Sequence, residues 1–195
     1  MRSKKDSVNT ILFKKIFATY GGEVMRVETE RLVIRDFLEK DYKDAFEYLS
    51  DIEVMEYIEP ILTISQTKKF IQKYGIEEKM IYAVEEKHLG KVIGHIIFHE
   101  FNKPSEYELG WIFNGEFQGN GYAREASFAL FEYGFNKLHL ESILAETVLN
   151  NKRSISTITS LGMKISKTHE EDLPVWIITK NDYQNKKEYK TFFMR

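Results

Sequence analysis

The stretch EYELGWIFNGEFQGNGYA, residues 106–123, contains the transition that decides the fold. Its first eight residues alternate: Tyr107, Leu109, Trp111 and Phe113 fall on one face of a strand, and Glu106, Glu108 and Gly110 on the other. Its last six, Gln118-Gly119-Asn120-Gly121-Tyr122-Ala123, form a glycine-rich turn that feeds a helical pattern from about Ala123 to Asn136. Strand, glycine turn and helix start in succession let several backbone N–H groups converge at the positive end of a helix dipole. That arrangement suits phosphate or pyrophosphate. A Gly-x-Gly turn taken alone is equally compatible with an ordinary loop before a helix.

Upstream, Met80–Glu86 and Lys91–Phe101 read as strands joined by His88-Leu89-Gly90, and Asn102-Lys103-Pro104-Ser105 turns the chain into 106–113. Three strands linked by short turns form an antiparallel meander. Downstream, Ser142–Thr147 reads as a strand and Asn151–Leu161 as a helix stopped by Gly162. Strand–helix–strand order there implies a parallel pairing. Met163–Thr168 and Val175–Thr179 close the pattern as a hairpin around Glu170-Glu171-Asp172. Ahead of the meander, compact structure is expected from about Arg31, with a short strand at Leu32-Val33-Ile34. Two helices follow, one capped by Asp41 and one capped by Ser65 and weakened or ended at Gly75. The fold class is α+β, with a sheet that is antiparallel first and parallel later.

Composition narrows the function classes. A chain of 195 residues with 43% hydrophobic and 30% charged residues is globular and fits one domain. A net charge of -2 provides no electrostatic case for a nucleic-acid partner. The absence of cysteine excludes a disulfide scaffold, a thiolate zinc site and a cysteine nucleophile. Apolar runs such as Ile96–Phe98 and Val175–Ile178 are far shorter than the ~20 residues of a membrane span. The basic start lacks the continuous apolar core of a signal peptide, so the expected localisation is cytoplasmic. Residues 1–24 read as an appendage and 25–195 as a single domain. Gly21-Gly22-Glu23-Val24-Met25 can be encoded by a purine-rich, ribosome-binding-like run, so Met25 is expected as the natural start, with translated leader before it.

The residues exclude the common nucleotide motifs. A Walker loop ends in Gly-Lys-Ser/Thr, whereas this turn has Gly121-Tyr122-Ala123. A dinucleotide fingerprint needs a third small residue where Arg124 stands. The sequence instead resembles the GNAT acyltransferase superfamily, in particular its ribosomal-protein/spermidine-type N-acetyltransferase branch, over about Glu28 to Tyr183. The resemblance is carried by Thr29-Glu30-Arg31-Leu32-Val33-Ile34-Arg35, by Glu106–Trp111, and by Gln118, Gly121 and Ala123 in a Gln/Arg-x-x-Gly-x-Gly/Ala signature. Leu138-His139-Leu140, Asn151–Ile155 and Leu161-Gly162-Met163 complete it. It implies a mixed, mainly antiparallel sheet flanked by helices, with strands 106–113 and 142–147 splayed to admit the pantetheine arm of acetyl-CoA. It also implies that Gln118, Gly119, Asn120, Gly121, Tyr122 and Ala123 hold the pyrophosphate and that Asn151 bonds the pantetheine arm. Asn151 is equally readable as a helix cap.

The reaction so implied is attack of a primary amine on the thioester of acetyl-CoA, with a protein N-terminus, a polyamine or another small amine as acceptor. Such amines are largely protonated at neutral pH, so a base must remove a proton. Glu108 is the candidate, with Glu106 as its rival, and each is equally readable as a solvent-facing glutamate. The departing thiolate benefits from a donor. The tyrosine that many relatives use corresponds to Ile158, so Ser154 is the candidate, and a capping or packing serine is the other reading. Gly110 is placed for a strand interruption that would free an N–H for the developing oxyanion. Glu53, Glu56 and Glu59 are readable as an acidic acceptor pocket or as a solvated face. Four residues of strand separate His95 from His99 by ~13 Å, too far to share a metal ion. No metal, nucleic acid or membrane partner is expected, and the chain is expected to be a monomer or homodimer. The alternative is a non-catalytic acyl-CoA-binding or regulatory protein.

Overall fold

The computed structural model describes residues 24–166 and 173–185. The reading of residues 1–23 as an appendage and leader, and the acidic turn Glu170-Glu171-Asp172, lie outside them. Strand β1 (Arg26–Glu28) pairs antiparallel with β2 (Leu32–Arg35), so regular structure begins before the expected Arg31. Met25, just ahead of β1, is buried in the main core.

A 3-10 turn (Glu39–Asp41) leads into α1 (Tyr42–Leu49), and α2 (Ile52–Met55) and α3 (Ile64–Phe70) follow. Two capping expectations are corrected. The Asp41 carboxylate bonds Arg35 and the Leu38 N–H and makes no side-chain cap on α1. The half-buried guanidinium of Arg35, which also bonds Glu85, competes for it successfully. Helix α3 is capped by Thr63, whose box partner is Gln66, and Ser65 lies inside the first turn. The helix does not stop at Gly75 but widens into a π turn, Ile71–Glu77.

Strands β3 (Ile81–Glu86), β4 (Lys91–Glu100) and β5 (Glu106–Phe113) form the antiparallel meander. A 3-10 turn (Gly115–Phe117) and the glycine turn precede α4 (Tyr122–Glu132), which runs into a second π turn, Tyr133–Lys137. Strand β6 (Ser142–Glu146) pairs parallel with β5, as the strand–helix–strand order requires. After α5 (Lys152–Ser160), strands β7 (Lys164–Ile165) and β8 (Val175–Thr179) pair antiparallel, β8 lies against β6, and α6 (Lys180–Asn185) follows. Among the described residues the strands form one sheet in the order β1-β2-β3-β4-β5-β6-β8-β7.

The sheet separates two cores. On one face Leu109, Phe113, Phe128, Phe131, Phe135 and Ile143 pack with α4. On the other, Tyr48, Leu49, Ile71, Ile81 and Ile112 pack with α1 and α3. Each fully buried aliphatic or aromatic side chain contributes roughly 1.5–3 kcal/mol. Trp111 is half-buried against the α4-side core, whereas Glu108 lies on the α1–α3 side.

Candidate active site

The β5–β6 ladder holds only for Glu106↔Ser142, Tyr107↔Ile143 and Glu108↔Leu144. Beyond Glu108 the two strands part. Strand β5 remains paired with β4 as far as Phe113, and β6 remains paired with β8 as far as Glu146. A V-shaped gap opens whose edges carry backbone groups with no strand opposite. The interruption expected at Gly110 is therefore not a bulge in β5, because Gly110 pairs regularly with Ile97 on β4. A Cβ there would lie 2.9 Å from Ile97 Cδ1, the far end of a flexible side chain that need only shift slightly. The meander's only register shift falls between Val84 and Glu85, on the β3–β4 ladder. Gly110 lies in the parted stretch, but the ladder phase set by Asn114 N–H to the Ile93 carbonyl and Phe101 N–H to the Glu106 carbonyl turns its own N–H to β4, so the N–H groups at the gap belong to its neighbours Leu109 and Trp111.

The glycine turn lies near the start of α4. Gly119 and Gly121 both have φ of +79°, the left-handed conformation that side chains disfavour. Gly121 is the N-cap of α4 and brings no side-chain cap, which leaves the first-turn N–H groups without one. Nothing lies within 4 Å of a Cβ built on Gly119. An uncapped helix start under an open, left-handed turn fits a pyrophosphate.

The turn is braced from both sides. Gln118 donates from Nε2 to the Phe113 carbonyl (3.0 Å) and accepts at Oε1 from Arg153 on α5 (3.0 Å). The Asn120 amide is turned inward to the Phe117 and Gln118 carbonyls (both 3.3 Å). Arg31, between β1 and β2, donates to the Asn120 carbonyl (3.1 Å), lies 4.3 Å from the Tyr122 ring centroid and pairs with Glu125 on α4 (2.6 Å). Glu125 also accepts from Thr29 Oγ1 (2.5 Å) and the Arg31 N–H (3.0 Å). Sequence reasoning missed this brace. Arg31 lies in a segment that carried the family resemblance and Glu125 just beyond the glycine turn, but their contact spans 94 residues. Tyr122 stacks under Arg31, and Ala123 packs against the main core and accepts from Ser127 through its carbonyl.

Asn151 is the N-cap of α5, accepting from the Ser154 N–H (3.1 Å). Ser154 stands half-buried in the first turn of α5, and its hydroxyl has no hydrogen bond among the described residues. Ile158 is buried in the core.

Glu108 is only 6% exposed and is the last residue of β5 paired with β6. Burial, then the neighbouring charge of Glu146, push its carboxyl up to about 8. Its cross-strand partner is His99, whose Nε2 lies 3.5 Å from Glu108 Oε2. The rival Glu106 is engaged by Ser142 Oγ (3.0 Å) and Asn102 Nδ2 (3.0 Å). His95 is bonded through Nδ1 to the Tyr48 hydroxyl (3.0 Å) among aromatic rings. Of the acidic triplet, Glu53 and Glu56 are exposed. Glu59 has a buried, unpartnered Oε1, and burial raises its carboxyl above the usual range.

Comparison with known proteins agrees with this geometry. The model of the Acetyltransferase (GNAT) domain family matches residues 31–164. An uncharacterized N-acetyltransferase of Bacillus subtilis, YnaD, is 37% identical over 141 residues, covering 72% of this chain and 83% of that protein. The crystal structure of a GNAT-family acetyltransferase from Bacillus anthracis superposes with a TM-score of 0.74 at 31% identity, covering 80% of this chain and 99% of the other. A spermidine N-acetyltransferase from Vibrio cholerae, solved with CoA and spermine, matches with a TM-score of 0.68 at 20% identity over 80% of this chain and 100% of its own.

Proposed function

From the premise that this chain belongs to the GNAT acetyltransferase family, we propose that it transfers an acetyl group from acetyl-CoA to a primary amine by direct attack on the thioester. The single observation that supports this best is the parting of β5 and β6 immediately after a buried, protonatable Glu108, beside an uncapped helix start. Acetyl-CoA supplies the activated acyl carbonyl. The N–H groups at Gly119–Ala123 hold the pyrophosphate, and the side-chain N–H groups of Asn151, which its capping bond leaves free, turn to the pantetheine arm. The open edge of β5 around Gly110 offers an N–H to the carbonyl oxygen as charge builds there. Glu108 takes the proton that the amine loses, and Ser154 donates to the departing sulfur.

The acceptor is a cationic amine. Glu106, Glu108 and Glu146 share one face of the parted strands. Polyamines and protein N-termini both carry the required ammonium, and the spermine in the Vibrio cholerae structure makes the first class the natural starting point. A cytoplasmic site of action fits such acceptors, and among the described residues no helix is long and apolar enough to cross a membrane. A second reading, a non-catalytic acyl-CoA-binding protein, is favoured by one observation: Ile158, at the position of the relatives' tyrosine, is sealed in the core. Thiol release from acetyl-CoA across a panel of polyamines, small amines and peptides separates the two. Acetyl-dependent release with any acceptor supports the enzyme. Tight acetyl-CoA binding with no release across the panel supports the binder.

A further inference from the structure

His99 accounts for a feature that the simple base assignment leaves unexplained. A carboxyl held near 8 is mostly protonated at neutral pH and so is poorly suited to act as a carboxylate base. His99 Nδ1 lies 2.8 Å from the Glu100 carbonyl oxygen, which can only accept, so Nδ1 carries the hydrogen. Burial holds the imidazole below its ordinary range, hence neutral. Nε2 is then a bare lone pair, and it faces Glu108 Oε2 at 3.5 Å. A neutral carboxyl and a neutral imidazole therefore meet as donor and acceptor rather than as an ion pair. At 3.5 Å the contact is longer than a formed hydrogen bond and must shorten for a proton to cross.

We propose that His99 is a positioning residue that accepts a proton through Glu108, with the neutral carboxyl serving as the relay between acceptor amine and imidazole. As the amine N–H bond breaks, its hydrogen joins Glu108 Oε1. The Oε2–H bond breaks in the same movement, and that hydrogen joins His99 Nε2. Glu108 ends neutral with its proton on the other oxygen, His99 ends as an imidazolium, and the extra proton leaves to solvent from a side chain 15% exposed. Glu146 on β6 acts on Glu108, Glu106 on β5 is engaged by Ser142 and Asn102, and Lys79, ahead of β3, is paired with Asp36.

This inference rests on Glu108 taking the acceptor's proton, and two readouts keep the claims apart. The first is the pH–rate profile with a weakly basic amine that stays unprotonated throughout. The wild-type rate is expected to be high already at pH 7, because neutral Glu108 relays the proton without ionising, and to stay high above about pH 8, where its carboxylate takes the proton directly. His99→Gln, which removes the proton acceptor, is expected to lose about tenfold at pH 7 and to climb through about pH 8 as Glu108 becomes a carboxylate. Superimposable profiles would overturn the relay. The second is the nitrogen NMR signature of His99 in the full chain. Nδ1 should be the protonated nitrogen, and the Nε2 resonance should move in Glu108→Gln. An unmoved Nε2 resonance would overturn the pairing, whereas a coupled pair in a protein that acetylates nothing would overturn the acetyl-transfer reading instead.

Discussion

At the residue scale, the proposed mechanism divides the chemistry between Glu108 and Ser154, and the two should fail differently. Glu108→Gln retains size but removes the carboxyl through which the amine proton must pass, and a rate loss on the order of a hundredfold is expected at neutral pH. That deficit should shrink as pH rises and the amine deprotonates unaided. Ser154→Ala should lower turnover with a flatter pH response, and acetyl-CoA should still bind both variants. Parallel pH–rate profiles with one good acceptor check this. Wild-type turnover by the Glu108→Gln protein at pH 7 would move the base elsewhere. The same carboxyl makes a stability prediction. Its folded-state value, about 8, lies above its ordinary 4.5, so the stability it contributes is full below 4.5 and is lost as pH rises through 8. Glu108→Gln lacks that loss. Its unfolding free energy relative to wild type should rise from pH 5 to 8, by at most about 1.4 kcal/mol per pH unit, and then level off, as urea unfolding at each pH would show. A constant difference would mean that Glu108 is already ionised in the native protein.

At the element scale, the turn and helix α4 act as one unit. Gly121→Val forces a β-branched residue into a left-handed conformation, strains the helix start and crowds the approach of a pyrophosphate. Calorimetry on the folded variant should show at least a tenfold rise in the acetyl-CoA dissociation constant, about 1.4 kcal/mol. Unchanged affinity would remove the turn from the cofactor site. The Arg31–Glu125 brace ties that turn to the opening strands. Arg31→Lys retains the charge but loses the forked geometry to a nearly buried carboxylate. A loss of about 2 kcal/mol, roughly 4–8 °C in melting temperature, is expected. The KM for acetyl-CoA should rise more than kcat falls, because the brace shapes the turn and touches no reacting atom. Equal losses in both would reduce Arg31 to general stability.

At the scale of the whole molecule, the α1–α3 face of the sheet buries an ionisable group that constrains folding in acid. Burial pushes His95 down to about 3, and only 1% of it is exposed. Below about pH 6.5 the unfolded chain takes up a proton that the folded chain refuses. His95 therefore contributes stability above 6.5 that is lost as pH falls towards 3. His95→Leu should cost a roughly constant 1–3 kcal/mol by stranding the Tyr48 hydroxyl. Its urea-unfolding stability should nonetheless decline less steeply than wild type between pH 6.5 and 4. Parallel acid limbs would show that the wild-type imidazole titrates normally inside the fold.

What could be read directly from the chain was local and periodic. The alternation in 106–113 specified a strand with Glu108 off the main core, the glycine turn specified a helix start able to take an anion, and the strand–helix–strand order specified the parallel pair. These follow from backbone geometry and side-chain period, which act over a few residues. The capping errors at Asp41 and Ser65 mark the limit: a cap is a competition, and Arg35 and Thr63 won it through partners that local pattern does not rank. The turn lengths did not determine cross-strand register, so the His99–Glu108 pair was invisible although both residues had been considered separately. The Arg31–Glu125 contact, 94 residues long, and the point at which β5 and β6 part were likewise decided by tertiary packing. So was the low dielectric around Glu108, because desolvation is a property of everything packed around a group and is not encoded in the residue or its neighbours in sequence.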